Sequence, residues 1–204
     1  MFWRHKRKGA SEPGDPLLWH VGFIVALARV VRPAVYVELG VHRAELFNRL
    51  IPYAGELIGV DIDPRSADFV QSAPNARFVL GTTETFANDV RVSPIVIDML
   101  FIDADHSRRS VVRDFRDLFP FVRPHGLILV HDTHPGDASL LDPGWCGDAY
   151  LAIDELQRDA RDYEMMTIPV SPGLTLCRKR TSQLSWAEEG DVMSSDGIAH
   201  GGST

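Results

Sequence analysis

Asp98-Met99-Leu100-Phe101-Ile102-Asp103-Ala104-Asp105-His106 decides the fold of this 204-residue chain. Four apolar residues in a row, bounded by acids, read as a strand buried on both faces. Such strands occupy the centre of a parallel sheet covered by helices. The acids that follow mark its carboxyl end. Open α/β sheets bind ligands in the crevice beyond the carboxyl ends of their strands, which puts Asp103, Asp105 and His106 where chemistry is possible. A second apolar strand, Leu127-Ile128-Leu129-Val130, ends in the same way in His131-Asp132-Thr133-His134. Two strands that both run into Asp and His suggest one shared polar site.

Strands and helices alternate outward from this stretch. Upstream, residues 16–31 predict a helix with Asp15 as its N-cap and Pro33 as its stop. Val35–Leu39 is a strand closed by Gly40, residues 43–51 are a helix, and Leu57–Val60 is a strand ending at Asp61. Asp63-Pro64 starts another helix, because proline's missing donor is not needed at the first helical position. Arg77–Leu80 is a third strand, followed by Gly81-Thr82-Thr83-Glu84 and a short helix to about Asp89. Downstream, residues 107–121 carry Val111, Val112, Phe115, Leu118 and Phe119 at the spacing of an amphipathic helix. A loop over 135–147, a helix over 149–160 and strands over 164–168 and 174–178 follow. The short Pro169–Gly173 connection makes the last two strands an antiparallel pair at one sheet edge. The whole is α/β: a doubly wound, mostly parallel seven-stranded sheet with a C-terminal antiparallel hairpin and right-handed crossovers.

With 45% hydrophobic and 24% charged residues the chain supports one sizeable core, hence one domain. Its expected bounds are 16–180, between a flexible basic N-terminus over 1–15 and a disordered tail over 181–204 that holds no Lys or Arg. A net charge of -7 argues against coating nucleic acid and for small-molecule partners. Cys146 and Cys177 form no disulfide framework and no CxxC pattern, which fits a reducing cytoplasm. Arg4, Lys6, Arg7 and Lys8 ahead of the apolar run Val21–Ala28 mimic a secretion signal. The acidic, turn-forming Ser11–Pro16 and the interruptions at His20 and Arg29 instead fit a helix packed on the sheet. No run approaches the roughly 20 apolar residues of a membrane span.

Two places carry cofactor chemistry. In Val37-Glu38-Leu39-Gly40-Val41-His42-Arg43-Ala44 a strand enters a tight turn, where Gly40 permits close backbone approach and Glu38 can accept a bond. Glu38 and Ala44 stand where the outer glycines of GxGxxG would be, which counts against a dinucleotide fingerprint. Asp61, 21 residues after Gly40, is placed to accept hydrogen bonds from both hydroxyls of a ribose. Turn and acid together favour nucleoside binding.

From residue 16 to 180 the chain resembles a class I S-adenosylmethionine-dependent methyltransferase, with a Rossmann-like methyltransferase fold. Glu38-x-Gly40, with His42 in the same turn, resembles the family's first cofactor motif. Asp61 resembles its ribose-binding acid, and the loop holding Thr83 and Glu84 its adenine-side loop. Asp103 would close the cofactor site. Asp103 and Asp132, ending neighbouring strands, are similar to the acids that hold Mg²⁺ in catechol-type O-methyltransferases, which implies a divalent metal with Thr133 as third ligand. Relatives commonly carry Asn or Asp at that place. The Asp-x-Asp-His stretch also resembles sugar and antibiotic O-methyltransferases and cephalosporin-hydroxylase-like proteins. By that likeness Asp105 is the general base, and His106 stands where catechol-type enzymes place a catalytic Lys.

The resemblance implies methyl transfer to a hydroxyl of a small molecule: a sugar, a phenol or a natural product. Displacement at a sulfonium needs positioning and a more nucleophilic acceptor. A metal held by two carboxylates lowers the acceptor's pKa while Asp105 or His106 takes the proton. The alternatives are a non-haem iron oxygenase using His131, His134 and one aspartate, and a cofactor-binding protein without catalysis. A bare helix cap explains Asp105 but not Asp103 together with Asp132. His5, His20, His125 and His200 read as solvated. The acceptor pocket is expected from residues 1–20 and 135–148, with Trp145-Cys146-Gly147-Asp148 among them, and is open to a second subunit in a homodimer.

Overall fold

Ile97–Ile102 is the fourth of seven strands among the described residues, and all six of its side chains are buried. The computed structural model describes residues 18–180, so the N-terminus over 1–15, the tail over 181–204 and the expected cap Asp15 lie outside the described residues. The strands are β1 (Val35–Leu39), β2 (Glu56–Asp61), β3 (Ala76–Leu80), β4 (Ile97–Ile102), β5 (Val122–His131), β6 (Tyr163–Ile168) and β7 (Leu174–Lys179). They alternate with α1 (Trp19–Val31), α2 (Glu45–Leu50), α3 (Thr83–Val92), α4 (Arg108–Leu118) and α5 (Tyr150–Arg158).

The sheet order is β3-β2-β1-β4-β5-β7-β6. The first five strands are parallel, and β7 runs antiparallel to both β5 and β6. Alternate residues of each central strand serve opposite faces, as the pleat requires. Val37, Leu39, Leu100, Ile102, Ile128 and Val130 pack with α3, α4 and α5. Tyr36, Met99, Phe101 and Leu129 pack with α1 and α2. Helices on both faces exclude water from the strands, so their polar ends gather at the tips. Register then sets the site: Leu39 pairs with Val60 and with Ile102, and Ile102 with Val130. The next residues, Gly40, Asp61, Asp103 and His131, therefore stand in one row.

The structure departs from the sequence reading in places with physical causes. Asp98 is not a boundary acid but lies inside β4, where it accepts from Val35 N at 2.8 Å and pairs with Arg123 Nε at 2.9 Å. Residues Pro64–Phe69 form a 3₁₀ helix rather than an α-helix. Only Ser66 is buried there, so no apolar stripe holds a longer helix to the sheet. Pro120 ends the 107–121 helix early, and Phe119–Phe121 tightens to 3₁₀. β5 begins five residues before Leu127, across a register shift that absorbs Pro124 and Gly126. No helix among the described residues is long and apolar enough to cross a membrane.

Candidate cofactor and metal site

The β1 turn is built for close backbone approach. Gly40 has φ 90° and donates to Val60 O at 2.8 Å, and a Cβ there would lie 2.3 Å from the Asp103 carbonyl oxygen. Asp103 N in turn donates to Leu39 O at 2.9 Å, so the tips of β1 and β4 are stitched together. Asp61 organises the same crevice: Oδ2 accepts from His42 N at 2.7 Å and Oδ1 from Asp63 N at 2.8 Å. Each carboxylate oxygen keeps a further lone pair, which leaves room for ribose hydroxyls. His42 thus enters through its backbone, with φ 49°. Ala44, buried at φ 56°, holds a left-handed conformation that favours glycine.

Glu38 lies beneath this turn, buried, with Tyr36 Oη donating to Oε2 at 2.7 Å. Burial pushes its carboxyl from 4.5 up to about 8; the Tyr36 bond opposes the rise, and Asp103 and Asp61 add to it. At the β3 end the N-cap is Thr82, which accepts from Thr85 N at 3.0 Å. Thr83 points its hydroxyl to Asp114 Oδ1 on α4 at 2.7 Å, and Glu84 is exposed in the first turn of α3. Thr83 is therefore engaged in helix packing.

Beyond β4 and β5 two carboxylates and two imidazoles converge. His131 Nδ1 lies 3.0 Å from Asp103 Oδ1 and 3.2 Å from Asp132 Oδ1. His106 Nδ1 lies 3.3 Å from Asp132 Oδ2, and its Nε2 3.7 Å from Asp103 Oδ1. Cys146 donates its thiol to Asp132 Oδ1 at 3.3 Å. Burial alone would raise the Asp103 carboxyl, but His131, with His106 and His20 beyond it, brings it down to about 2. Asp132 sits at φ 59°, a turn that Asp tolerates better than most residues. Thr133 is buried, and its Oγ1 has no hydrogen-bond partner.

The histidines are not distributed as the sequence suggests. His20, read as solvated, is 4% exposed, and its ring centroid lies 3.9 Å from that of His131. It arrives on α1, far away in sequence, and its place amid an apolar run was the only signal. His134 is exposed and joins neither group of convergent ligand atoms among the described residues. Those groups are Asp103–His106–Asp132 and His20–Asp103–His131, so the two-His, one-carboxylate set built on His134 does not assemble.

Asp105 is exposed and accepts from Ser110 Oγ at 2.6 Å. With His106 it lines a cavity of about 460 Å³, together with Leu141, Pro143, Asp148 and Tyr150. A neighbouring hollow of about 370 Å³ shares Leu141 and Tyr150 and reaches Thr133, His134 and Asp137. Of the aromatic loop stretch, Gly147 and Asp148 line the first cavity, and Trp145 instead offers its carbonyl to His106 Nδ1.

The residues present fit both groups that the fold implies. At the Gly40 turn a Cβ would collide with the Asp103 main chain, so glycine lets the tips of β1 and β4 close up beside the Asp61 carboxylate. Asp103, His106 and Asp132 offer ligand atoms all within 4.8 Å of one another, beside the orphaned Thr133 hydroxyl. The sequence matches the family described as methyltransferase domain over residues 33–133, which hold Glu38, Gly40, Asp61, Asp103 and Asp132.

Residues 33–133 match a methyltransferase domain, and the fold is that of the Rossmann-like methyltransferases.

No curated protein sequence matches this chain. Among solved structures it is similar to the O-methyltransferase TomG from Streptomyces achromogenes, involved in tomaymycin synthesis and bound to S-adenosylmethionine. That likeness has a TM-score of 0.67 and 17% identity and covers 79% of this chain and 80% of that one. It is similar to an O-methyltransferase from Bacillus cereus in complex with S-adenosylhomocysteine, at TM-score 0.69 and 14% identity over 84% of each chain. The S-adenosylhomocysteine-bound Podospora anserina methyltransferase PaMTH1 matches at TM-score 0.66 and 15% identity, over 79% and 78%. At these identities the likeness establishes the fold.

Proposed function

We propose that this chain transfers the methyl group of S-adenosylmethionine to a hydroxyl of a small molecule, with a divalent metal at the β4 and β5 tips. One observation carries the proposal: the row Gly40, Asp61 and Asp103 adjoins the carboxylate-imidazole cluster, which opens on a lined cavity. A nucleoside site beside an acid-lined acceptor pocket is what displacement at a sulfonium requires.

Gly40 lets the backbone approach the cofactor, Asp61 accepts from the ribose, and Glu38 supports the turn from below. Asp103, Asp132 and one further group hold the metal, which when bound acidifies an acceptor hydroxyl. Asp105 or His106, both lining the cavity, takes the acceptor's proton. A net charge of -7 supports a small acceptor over a nucleic acid. Incubation with methyl-labelled cofactor and a panel of phenols, sugars and macrolides tests the proposal. Labelled product that disappears in Asp132→Ala is expected. Bound cofactor with no transfer to any hydroxyl would contradict it.

A further inference from the structure

The two hollows beside the β4 and β5 tips are lined by acids without a strong base to neutralise them. Asp105 and Asp148 line the first and Asp137 the second, and among the described residues no Lys or Arg lines either. None of these three carboxylates has an ion pair with a basic side chain among the described residues. Arg108, close by in the chain, engages Glu155 instead, with Nη2 2.7 Å and Nε 2.9 Å from Oε2. A carboxylate has about four acceptor positions. Asp148 takes one bond from Arg108 N at 2.6 Å and Asp137 one from Ser139 N at 2.7 Å, so both can accept from a further donor.

Exposed acids by themselves make only a solvated rim. A second feature points to a guest: Thr133 lines the same hollow as Asp137, is 7% exposed, and its Oγ1 has no hydrogen-bond partner. A buried hydroxyl left unpaired is costly, and a polar ligand in that hollow relieves the cost. Leu141 and Tyr150 line both hollows, so one molecule can span them with its apolar body on this shared wall. Tyr150 adds aromatic surface, which attracts a cation, and a cleft lined by one sign of charge concentrates the opposite ion.

We propose that the methyl acceptor is a hydroxylated amine, such as an amino sugar or a phenolic alkylamine, bound as its ammonium ion. This rests on the methyl-transfer reading of the same site. The hydroxyl lies in the first hollow, which holds Asp105 and His106, and the ammonium in the second, where it donates to the Asp137 carboxylate and to Thr133 Oγ1. Asp148 adds to the negative field between them. An alkylamine titrates near 10, so it carries its charge at neutral pH. A neutral analogue leaves Asp137 without a counter-ion, and an anionic one meets repulsion.

The test is calorimetric titration into the full chain saturated with S-adenosylhomocysteine, using probes that share a hydroxyl and differ in charge. One series is tyramine, para-ethylphenol and para-hydroxyphenylacetate; the other is glucosamine, glucose and glucuronate. In at least one series the amine is expected to bind at least tenfold tighter than the neutral probe, with the acid weakest. Asp137→Asn should remove that advantage, while its amide oxygen still accepts from Ser139 N. Where Asp137→Asn does not fold, loss of the advantage in wild type at about 0.5 M salt decides in its place. An advantage below tenfold in both series, or one that persists in Asp137→Asn or in salt, would overturn the assignment. Methyl-labelled cofactor with the same probes separates the two failures. Labelled product without preference for the amine removes this inference alone. Bound cofactor and no product from any probe removes the methyl-transfer reading and this inference with it.

Discussion

Glu38 is the residue whose burden is easiest to measure. Its folded carboxyl titrates near 8, above the ordinary value of 4.5, so the fold favours the protonated form. The stabilisation is complete below the ordinary value and is lost as pH rises through about 8. Thermal melts should therefore show wild type falling relative to Glu38→Gln between pH 5 and 9, since the amide imitates the neutral acid. Parallel curves would contradict the burial argument. Gly40→Ala makes a second test: φ 90° and a carbonyl oxygen 2.3 Å from the new Cβ require backbone movement. A loss of about 2–4 kcal/mol in denaturant unfolding is expected. The positions of Glu38, Gly40, Asp61 and the Asp103–His106 run at the strand ends were legible, because neighbours in sequence define them. Contacts were not legible where a partner arrives from afar. Trp145 O reaches His106 Nδ1 from 39 residues away, and α1 buries His20 against β5's last residue.

At the scale of elements, Asp98 joins three strands. Its two oxygens reach Val35 at the start of β1 and Arg123 in β5, while its own backbone lies in β4. Asp98→Ala leaves a partly buried amide without its acceptor and Arg123 without its partner, and should cost about 2 kcal/mol. Asp98→Asn keeps an acceptor for Val35 N and should cost less, as equilibrium unfolding can decide. Strand β4 itself was legible because four apolar residues between acids admit few structures. The start of β5 was hidden because Arg123-Pro124-His125-Gly126 has turn composition, yet the irregular register takes it into the ladder. The 3₁₀ helix at Pro64–Phe69 has the start signal of an α-helix and lacks the apolar stripe that would extend it.

Across the whole molecule, burial grades from the sheet centre to its edges. β4 is buried throughout, while β3, and β6 after its buried Tyr163, mix partial burial with exposure. Native-state hydrogen exchange should show the amides of β1, β4 and β5 as the slowest and those of β3 and β6 opening first. Uniform protection would contradict a stability gradient anchored at the central strands. Such a centre suits the chemistry, because Gly40, Asp103 and His131 then project from the least mobile strands. The order of elements revealed this architecture from sequence, since βα alternation closed by a short-looped hairpin leaves few topologies. The cavity beside His106 is walled in part by residues 141–148, inside the 135–148 stretch expected to build a pocket, while the way that loop folds back over His106 was hidden.

Calorimetric titration of S-adenosylhomocysteine into the wild-type chain and Asp61→Ala tests most directly that the tips of β1, β2 and β4 hold an adenosyl cofactor. One-to-one binding by wild type, weakened at least tenfold in Asp61→Ala, is the expected result. Absence of heat at millimolar ligand, or equal affinity in the two proteins, would contradict it.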